Sequence, residues 1–336
     1  MNKTIKERQA KNETLANKPL VSFCIFAYHQ EQYIREAMEG AFAQTYSPLE
    51  IILSDDCSPD RTFEIMSEMA AEYKGPHTLI LNRNETNLGI SAHVNKIFAM
   101  ARGEWFVLAA GDDISQPQRV ERAIDCAQAY PTVVCVQCAG YEITEAGVRI
   151  KYEGQKGSSL ENLSIFDFLQ CSPFMPKYSG ARAAYRRKLF EIFGPMSGGT
   201  AEDTVFSLRA RLAGDLYFID EPLVDRRVGG ISSSQNRSRR VSKAQRASWN
   251  YYSFLQFAED LRVLNQADNQ PALERLLREK IQQEQCMLQA LSGNLPLQLA
   301  AFRKAIVMSF CGWNLSFTLK VLRRGLRIIF RHKKWK

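Results

Sequence analysis

The chain has 336 residues, of which 45% are hydrophobic and 24% are charged. These proportions are ordinary for a globular protein and exclude a wholly disordered chain, and the length allows one large domain with an extension or two modest domains. The formal net charge of +8 is uneven, because ten basic and no acidic residues follow Glu284, which leaves about −2 for the body of the chain.

In chain order, residues 1–18 form a polar and charged arm without an apolar core, so they lack the pattern of a signal peptide. The eight cysteines show no disulfide-like framework, which favours free thiols in a reducing cytosol. Cys135 and Cys138 match a CxxC pattern, but they are three residues apart in a predicted buried strand and therefore face opposite sides of it. We interpret them as core thiols rather than as a redox or metal pair.

Strands and helices alternate in the part of the chain before Pro131. Short apolar runs predict buried strands at residues 20–27, 49–54, 78–81 and 105–109. Helical spacing predicts helices at residues 30–44, 58–73, 90–101 and 117–130, the second of them starting at a Ser58 cap followed by proline. The alternation predicts an α/β fold with a mostly parallel sheet flanked by helices, in which ligands bind beyond the carboxyl ends of the strands.

The following part is less regular. It predicts a helix near residues 161–170, a strand at 181–185, a helix at 200–213, two short strands around Pro222 within 216–227, and helical structure throughout 240–290. The sequence therefore divides into the arm over residues 1–18, an α/β domain over 19–235 and a helical C-terminal region over 236–336.

Two carboxylate pairs follow predicted strands. Asp112 and Asp113 offer the oxygen ligands that Mg²⁺ or Mn²⁺ prefers, and a cation there would neutralise the phosphates of a nucleotide diphosphate; capping of the next helix explains the pair equally well. Asp55 and Asp56 could accept the N3–H of a uracil or thymine ring or a ribose hydroxyl. For this second pair alone, a turn leading to the Ser58 cap is the simpler interpretation.

A third acidic pair, Glu202 and Asp203, opens the predicted helix at residues 200–213. A carboxylate at a helix start is stabilised by the helix macrodipole and is expected to stay ionised, and within reach of a hydroxyl it acts as a general base. Acidic residues are also common in first helical turns, so the pair alone does not establish catalysis.

Six segments occur in a characteristic order: residues 19–28, 44–46, 50–60, 87–89, 101–105 and 111–113. This series resembles family 2 glycosyltransferases, which have the GT-A fold. No single segment is specific, but six in order are, and the resemblance covers about residues 19–230. It implies a nucleotide-diphosphate-sugar donor and a divalent cation, Mn²⁺ or Mg²⁺, as cofactor.

The resemblance also implies residue roles. Asp56 matches the carboxylate that holds the nucleobase, and Tyr28 and Glu31 match the loop beside it. Asp112 matches the metal-binding last Asp of the family's DxD motif. The residues matched to nucleotide-sugar binding as a set are Tyr28, Glu31, Asp55, Asp56, Asn87, Gly89, Asp113 and Arg227.

For catalysis, the resemblance implies that Asp203 is the base, with Glu202 second. One departure from the family concerns the DxD motif, because its first Asp falls at Ala110. The contact that this Asp makes, usually to the ribose of the donor, is therefore missing or supplied by Asp113. Arg227 lies where the family often has a nearby histidine, and it is expected either to meet a phosphate or to form a surface ion pair.

The basic end of the chain, residues 313–336, predicts an amphipathic helix, since leucines recur at spacings of three and four with basic residues on other faces. The uncharged run at residues 305–319 is shorter than the roughly 20 apolar residues that cross a bilayer. We expect this helix to lie on an anionic membrane surface; packing on the body is the alternative.

Taken together, the sequence predicts an inverting, metal-dependent glycosyltransferase of hexosyl or deoxyhexosyl type. Its expected acceptor is a saccharide or lipid-linked saccharide in cell-surface polysaccharide or lipopolysaccharide synthesis, and its expected place is the cytoplasmic face of the inner membrane. The alternatives are a metal-dependent nucleotidyltransferase and a non-catalytic membrane or nucleic-acid-binding protein. Nucleic acid is the weakest partner, because the body is near neutral and its carboxylates would repel phosphates.

Overall fold

The computed structural model describes residues 18–155, 157–161, 180–228, 243–264 and 271–291, with single residues at 165, 169, 296, 297, 300, 301 and 304. It is an α/β structure with a curled, mostly parallel sheet flanked by helices, so the predicted fold class is confirmed. All but the last residue of the arm predicted over residues 1–18, most of the helix near 161–170 and the basic end at 313–336 lie outside the described residues.

The first part of the chain alternates as predicted. Its elements are β1 (Val21–Ala27), α1 (Ile34–Phe42), β2 (Leu49–Asp55), α2 (Thr62–Glu72), β3 (Thr78–Arg83), α3 (Ile90–Met100), β4 (Trp105–Ala110), β5 (Ile114–Ser115) and α4 (Arg119–Ala129). The helix predicted from Ser58 begins four residues later, at Thr62. Ser58 does not cap it: the Ser58 hydroxyl oxygen accepts a hydrogen bond from the His29 N–H, while its hydroxyl and backbone N–H donate to Asp55.

The remaining described elements complete the sheet and add helices. They are β6 (Val133–Ile143), β7 (Arg149–Glu153), β8 (Ser159–Glu161), β9 (Ala183–Arg186), α5 (Lys188–Phe193), α6 (Glu202–Ala213), β10 (Asp215–Arg227), α7 (Lys243–Val263) and α8 (Pro271–Leu291). The prediction of two short strands around Pro222 was wrong. The chain forms one long strand there, and the register of its pairing with β6 shifts on either side of Pro222.

The strand order is β3-β2-β1-β4-β9-β6-β10-β5, with β7 beside β6 and β8 beside β10. Strands β1 to β4 are mutually parallel, whereas β9 runs antiparallel to both β4 and β6. Ala27 pairs with Asp55, and Asp55 pairs with Arg83. The ends of β1, β2 and β3 are therefore level, and the loops after them share one edge, which we call the carboxyl edge.

Two apolar layers hold the helices to the sheet. Helices α1, α2 and α4 bury Met38, Met66 and Ile124 on one face, while α3, α5 and α6 cover the other face with side chains such as Phe98 and Phe206. The two cysteines of the CxxC pattern in β6 are buried in different layers, as expected for core thiols on opposite faces of a strand.

Helices α7 and α8 pack on each other and on α6 and bury a third apolar cluster. They occupy much of the region that was predicted to be helical throughout. None of the helices in the described part of the chain is both long enough and apolar enough to cross a bilayer.

Candidate active site

Asp56 begins the loop after β2, and its carboxylate is held by three donors. Oδ1 accepts hydrogen bonds from Asn84 Nδ2 at 2.7 Å and from the Leu88 N–H at 2.9 Å. Oδ2 accepts one from the Gly89 N–H at 2.9 Å. Gly89 has φ 76°, a conformation that glycine adopts without strain. The carboxylate is thus fixed in direction, and Oδ2 keeps acceptor capacity for one further donor.

A buried polar network lies behind this carboxylate. Asn82 Nδ2 donates to Asn84 Oδ1 at 3.1 Å and to Ser54 Oγ at 2.9 Å. Ser54 Oγ lies 2.7 Å from His93 Nε2. Burial lowers the pKa of His93 to about 4, so the ring is neutral near pH 7. Asn84 was not selected from the sequence, because the third strand was predicted to end at residue 81, whereas β3 runs to Arg83 and Asn84 directly follows it.

The loop after β1 is tied to the loop after β2. The His29 N–H donates to Ser58 Oγ at 2.8 Å, and the Arg61 N–H donates to Glu31 Oε2 at 3.0 Å. Among the described residues, the non-glycine residues with positive φ are His29 and Cys57, one in each loop. Such conformations carry strain and cluster at functional sites. Tyr28 is 38% exposed at the tip of the first loop.

Asp55 is fully buried. Its carboxylate accepts hydrogen bonds from Ser58 and forms an ion pair with Arg83 at 3.6 Å. The structure therefore places it under the loop, as part of the turn that was weighed against ligand binding, rather than on the surface of a cleft. Asn87 Oδ1 accepts a hydrogen bond from the Gly89 N–H at 3.1 Å, so this residue shares the hydrogen-bond donor that also serves Asp56.

Asp112 and Asp113 follow β4 in a loop that Arg227 holds from the end of β10. The Arg227 N–H donates to Asp113 Oδ1 at 2.9 Å, and its Nε donates to the Asp112 carbonyl at 3.1 Å. Burial raises the pKa of both carboxyls, that of Asp113 to about 8, and for Asp113 the neighbouring Asp112 charge raises it further. Desolvation therefore disfavours the ionised forms of both carboxyls, although the charges of Arg227 and Arg226 act in the opposite direction.

Arg227 itself is 2% exposed. Its guanidinium also donates to the Thr144 and Glu145 carbonyls and, at 2.8 Å, to Glu36 Oε2 on α1. This buried position contradicts the expectation of a surface ion pair, and it engages most of the donors that a phosphate would use. Glu36 was not selected from the sequence, because its partner Arg227 lies far away in the chain.

The residues around Asp112 fit a divalent cation that is shared with a ligand. In the described part of the chain, no three carboxylate, imidazole or thiol groups lie close enough to hold a metal by themselves. Gln30, however, hydrogen-bonds Asp112, and its amide oxygen is buried without a partner. One carboxylate and one amide oxygen suit Mg²⁺ or Mn²⁺, which keeps its other positions for phosphate and water.

Glu202 and Asp203 are the first two residues of α6, and both are only partly buried. Asp203 Oδ1 accepts a hydrogen bond from the Thr204 N–H at 2.6 Å. Burial raises the pKa of both carboxyls, and the Asp203 charge helps to raise that of Glu202 to about 8. The expectation that the macrodipole keeps the pair ionised was therefore wrong for Glu202, because burial and the Asp203 charge outweigh the dipole; burial acts in the same direction on Asp203. A carboxyl whose pKa is raised toward the working pH suits a general base.

These pieces border the same edge of the sheet. The Asp56 N–H donates to Ala27 O and the Gly111 N–H donates to Phe26 O, so the Asp56 and Asp112 loops flank the end of β1. Glu202 lies against Gly180, which precedes β9 and so stands beside the end of β4. The loops that carry Asp56 and Asp112 and the acidic pair of α6 thus border the carboxyl edge.

Comparison with known proteins identifies the same region. The model of the family described as "Glycosyl transferase family 2" matches residues 22–193, about half of the chain. The match includes the Asp56 and Asp112 loops and ends before α6 with its acidic pair.

Curated relatives match over shorter stretches. An uncharacterized protein of Mycobacterium tuberculosis is 36% identical over 148 residues, which cover 43% of this chain and 40% of the relative. The putative glycosyltransferase EpsE of Bacillus subtilis is 35% identical over 106 residues, covering 32% and 37%. Chondroitin synthase of Escherichia coli is 30% identical over 142 residues, covering 42% and 20%. The matched stretches thus span two-fifths of these relatives' lengths or less.

Solved structures match over nearly the whole chain. S. aureus TarS in complex with UDP-GlcNAc has a TM-score of 0.57 at 15% identity and covers 93% of this chain and 92% of that one. The mannosyltransferase PcManGT of Pyrobaculum calidifontis, in complex with GDP-Man and Mn²⁺, has a TM-score of 0.52 at 18% identity, covering 96% and 94%. At these identities the likeness establishes the fold, which is GT-A.

Proposed function

Because the chain belongs to glycosyl transferase family 2, we propose that it is an inverting glycosyltransferase that moves a sugar from a nucleotide-diphosphate sugar to an acceptor hydroxyl. The observation that carries the proposal is the arrangement of the carboxyl edge. A cradled carboxylate, Asp56, a buried acidic loop at Asp112, and a partly buried acidic pair at the start of α6 border one region.

The donor side follows from the Asp56 cradle. A ring N–H of the base would donate to Asp56 Oδ2, which favours uracil, thymine or guanine over bases without such a hydrogen. The exposed ring of Tyr28 would lie beside the base. Glu31, Asn87 and Gly89 shape the two loops through the hydrogen bonds described above. The donors UDP-GlcNAc and GDP-Man in the similar structures carry bases with such an N–H and support this assignment.

The diphosphate side would involve Asp112 and the Gln30 amide oxygen, which would hold Mn²⁺ or Mg²⁺ together with the phosphates. The cation would neutralise the leaving nucleoside diphosphate as its charge develops. The Mn²⁺ in the structure of PcManGT supports this cofactor. Asp113 and Arg227 would then support the loop from below, and with Ala110 in place of the first Asp, the ribose contact is left to neighbouring backbone.

Catalysis would need one proton acceptor. The acceptor hydroxyl oxygen attacks the anomeric carbon from the face opposite the diphosphate, its proton passes to Asp203, and the bonding electrons of the breaking C–O bond leave with the diphosphate. Glu202, whose pKa is raised by burial and by the Asp203 charge, is the second candidate. Inversion follows because the attack and the departure occur on opposite faces.

The acceptor and the location are broader proposals. We place the reaction in cell-surface polysaccharide or lipopolysaccharide synthesis with a saccharide or lipid-linked saccharide acceptor, at the cytoplasmic face of the inner membrane. The relative named chondroitin synthase supports a polysaccharide product, and the basic end at residues 313–336 supports a membrane surface. Removal of residues 297–336 should abolish pelleting with vesicles that contain phosphatidylglycerol, and unchanged pelleting would refute the membrane contact.

The function is tested with a panel of UDP-, dTDP- and GDP-sugars in the presence and absence of Mn²⁺. Release of nucleoside diphosphate and a product with inverted anomeric configuration by NMR are expected; release of pyrophosphate would indicate nucleotidyl transfer instead. Asp112→Asn and Asp203→Asn should each lower turnover at least about 100-fold. Asp125→Asn, an exposed change on α4, is the matched control. Full turnover by both folded variants would refute the proposal.

A further inference from the structure

The loop that leads into α6 is fixed from two sides. On one side, α3 binds it: Ser91 Oγ donates to the Thr200 carbonyl at 2.7 Å, and Asn95 exchanges two hydrogen bonds of 2.8 Å with Met196. On the other side, α7 binds it: the Ala201 N–H donates to Ser253 Oγ at 3.2 Å. The backbone directly ahead of the acidic pair therefore depends on a helix outside the part of the chain that matches the family.

Helix α7 is itself anchored to α6 by a buried ion pair. Arg209 Nε donates to Asp260 Oδ2 at 2.8 Å and its Nη2 donates to Oδ1 at 3.1 Å, with both side chains at most 1% exposed. Gln256 links this pair to the loop, since its Nε2 donates to Asp260 and its Oε1 accepts from the Ser197 N–H. The two helices therefore form one rigid unit around the loop.

Tyr252 stands at the open side of this unit. It is 42% exposed, and it directly precedes Ser253, which bonds the residue before Glu202. Its ring lies against the backbone of Gly199, where a Cβ would come within 3.1 Å of Tyr252 Cδ2. Gly199 has φ 80°, so glycine both allows the turn and leaves room for the ring. An exposed aromatic ring is thus held in a fixed place beside the candidate base.

We propose that Tyr252 forms the wall of the acceptor subsite and that a pyranose ring of the acceptor stacks on it, with one hydroxyl presented to the Glu202–Asp203 pair. The C–H face of a pyranose is apolar while its rim carries hydroxyls, which matches an aromatic surface next to carboxylates. The donor side is complete without α7, so this helix would serve the acceptor. The inference rests on the proposed glycosyl transfer.

Binding can be measured without knowing the natural acceptor. Saturation-transfer difference NMR with the methyl pyranosides of glucose, galactose and N-acetylglucosamine, in the presence of UDP and Mg²⁺, should show transfer from the full-length protein to the sugar C–H protons. Tyr252→Ala should weaken binding of the best of these sugars about tenfold, and Tyr252→Phe should preserve it within about twofold, because stacking needs the ring and not the hydroxyl.

The matched control is Tyr130→Ala, which removes a tyrosine of similar exposure, 41%, ahead of β6 at the opposite edge of the sheet. It should leave sugar binding unchanged. Hydrolysis of the donor, measured as nucleoside diphosphate release without acceptor, should be the same in all three variants. Equal sugar binding by wild type and Tyr252→Ala, or no saturation transfer to any of the sugars, would overturn the subsite. Metal-dependent donor hydrolysis in that same preparation would still leave the transferase proposal standing.

Discussion

Replacement of Asp56 by asparagine tests the donor side most directly, because the substitution keeps the shape of the side chain while it removes the negative charge and turns one acceptor into a donor. The amide nitrogen must take the place of one carboxylate oxygen. At Oδ1 it would face two donors, Asn84 Nδ2 and the Leu88 N–H. At Oδ2 it would face one donor, the Gly89 N–H. The second orientation is the less costly, so the amide nitrogen is expected at the position that would meet the base.

The magnitude follows from that orientation. A hydrogen bond to a charged group contributes about 1.5–3 kcal/mol, and the variant both loses this bond to the base and opposes the ring N–H with another donor. Since 1.4 kcal/mol is a factor of ten, KM for the donor should rise about 10- to 100-fold. The turnover number should change little, because the base lies away from the reacting bond.

The assay is nucleoside diphosphate release at varied donor concentration, with Asp125→Asn measured in parallel as the control. Thermal unfolding of each variant checks that the loop survives the change. A donor KM within about twofold of the wild-type value, in a protein that melts normally, would show that Asp56 does not hold the base. Equal loss of turnover and donor affinity would instead indicate a disturbed loop.

Three further predictions concern the acidic pair and its support. The specificity constant kcat/KM should rise with pH above the ordinary carboxyl range, because burial raises the pKa of both carboxyls and the base must lose its proton before it can accept one. Asp203→Asn should remove the rise, and a flat wild-type profile between pH 5 and 9 would exclude the pair as the base. The pKa of Glu202 is higher in the folded than in the unfolded chain, so its contribution to stability is present below about pH 4.5 and is lost as pH rises through about 8. Between pH 5 and pH 9, the free energy of unfolding in urea should therefore fall less for Glu202→Gln than for wild type. An equal fall in the two proteins would contradict this. Arg209→Met should lower the free energy of unfolding by about 3–5 kcal/mol, because Asp260 stays buried without its partner. A second substitution, Asp260→Leu, should restore most of the lost stability. If Arg209→Met alone were as stable as wild type in urea, the argument would be refuted.

The sequence was most informative where one rule connects pattern to position. Parallel strands end at one edge, so apolar runs followed by Asp56 and Asp112 were enough to predict a shared site. The local partners were harder to predict. Ser58 has the pattern of a helix cap, but its oxygen accepts from the His29 N–H of another loop and its hydroxyl donates to the buried Asp55, and α2 starts at Thr62. Pro222 has the pattern of a strand break, but β10 tolerates it through shifts in its pairing with β6.

Other features depend on residues far apart in the chain, which no local pattern links. Arg227 is an example. It was expected to meet a phosphate or to form a surface ion pair, but in the structure it is buried and supports the Asp112 loop while it pairs with Glu36. Burial likewise reverses the expected charge state of Glu202, since the sequence shows the helix start and its macrodipole but not the desolvation that raises the pKa.

The two sides of the site are therefore built by different means. Asp56 is held by Asn84 and by the backbone of Leu88 and Gly89, which all lie within the residues that match the family. The Glu202–Asp203 pair is held by α3 and by α7, and α7 lies outside that match. Under the proposed roles, a nucleobase cradle within the shared part and an acceptor side that depends on a separate helix would let related chains keep the base contact while changing acceptors. On this argument, substitutions along the exposed side of α7 should alter the use of acceptor sugars while leaving donor hydrolysis intact.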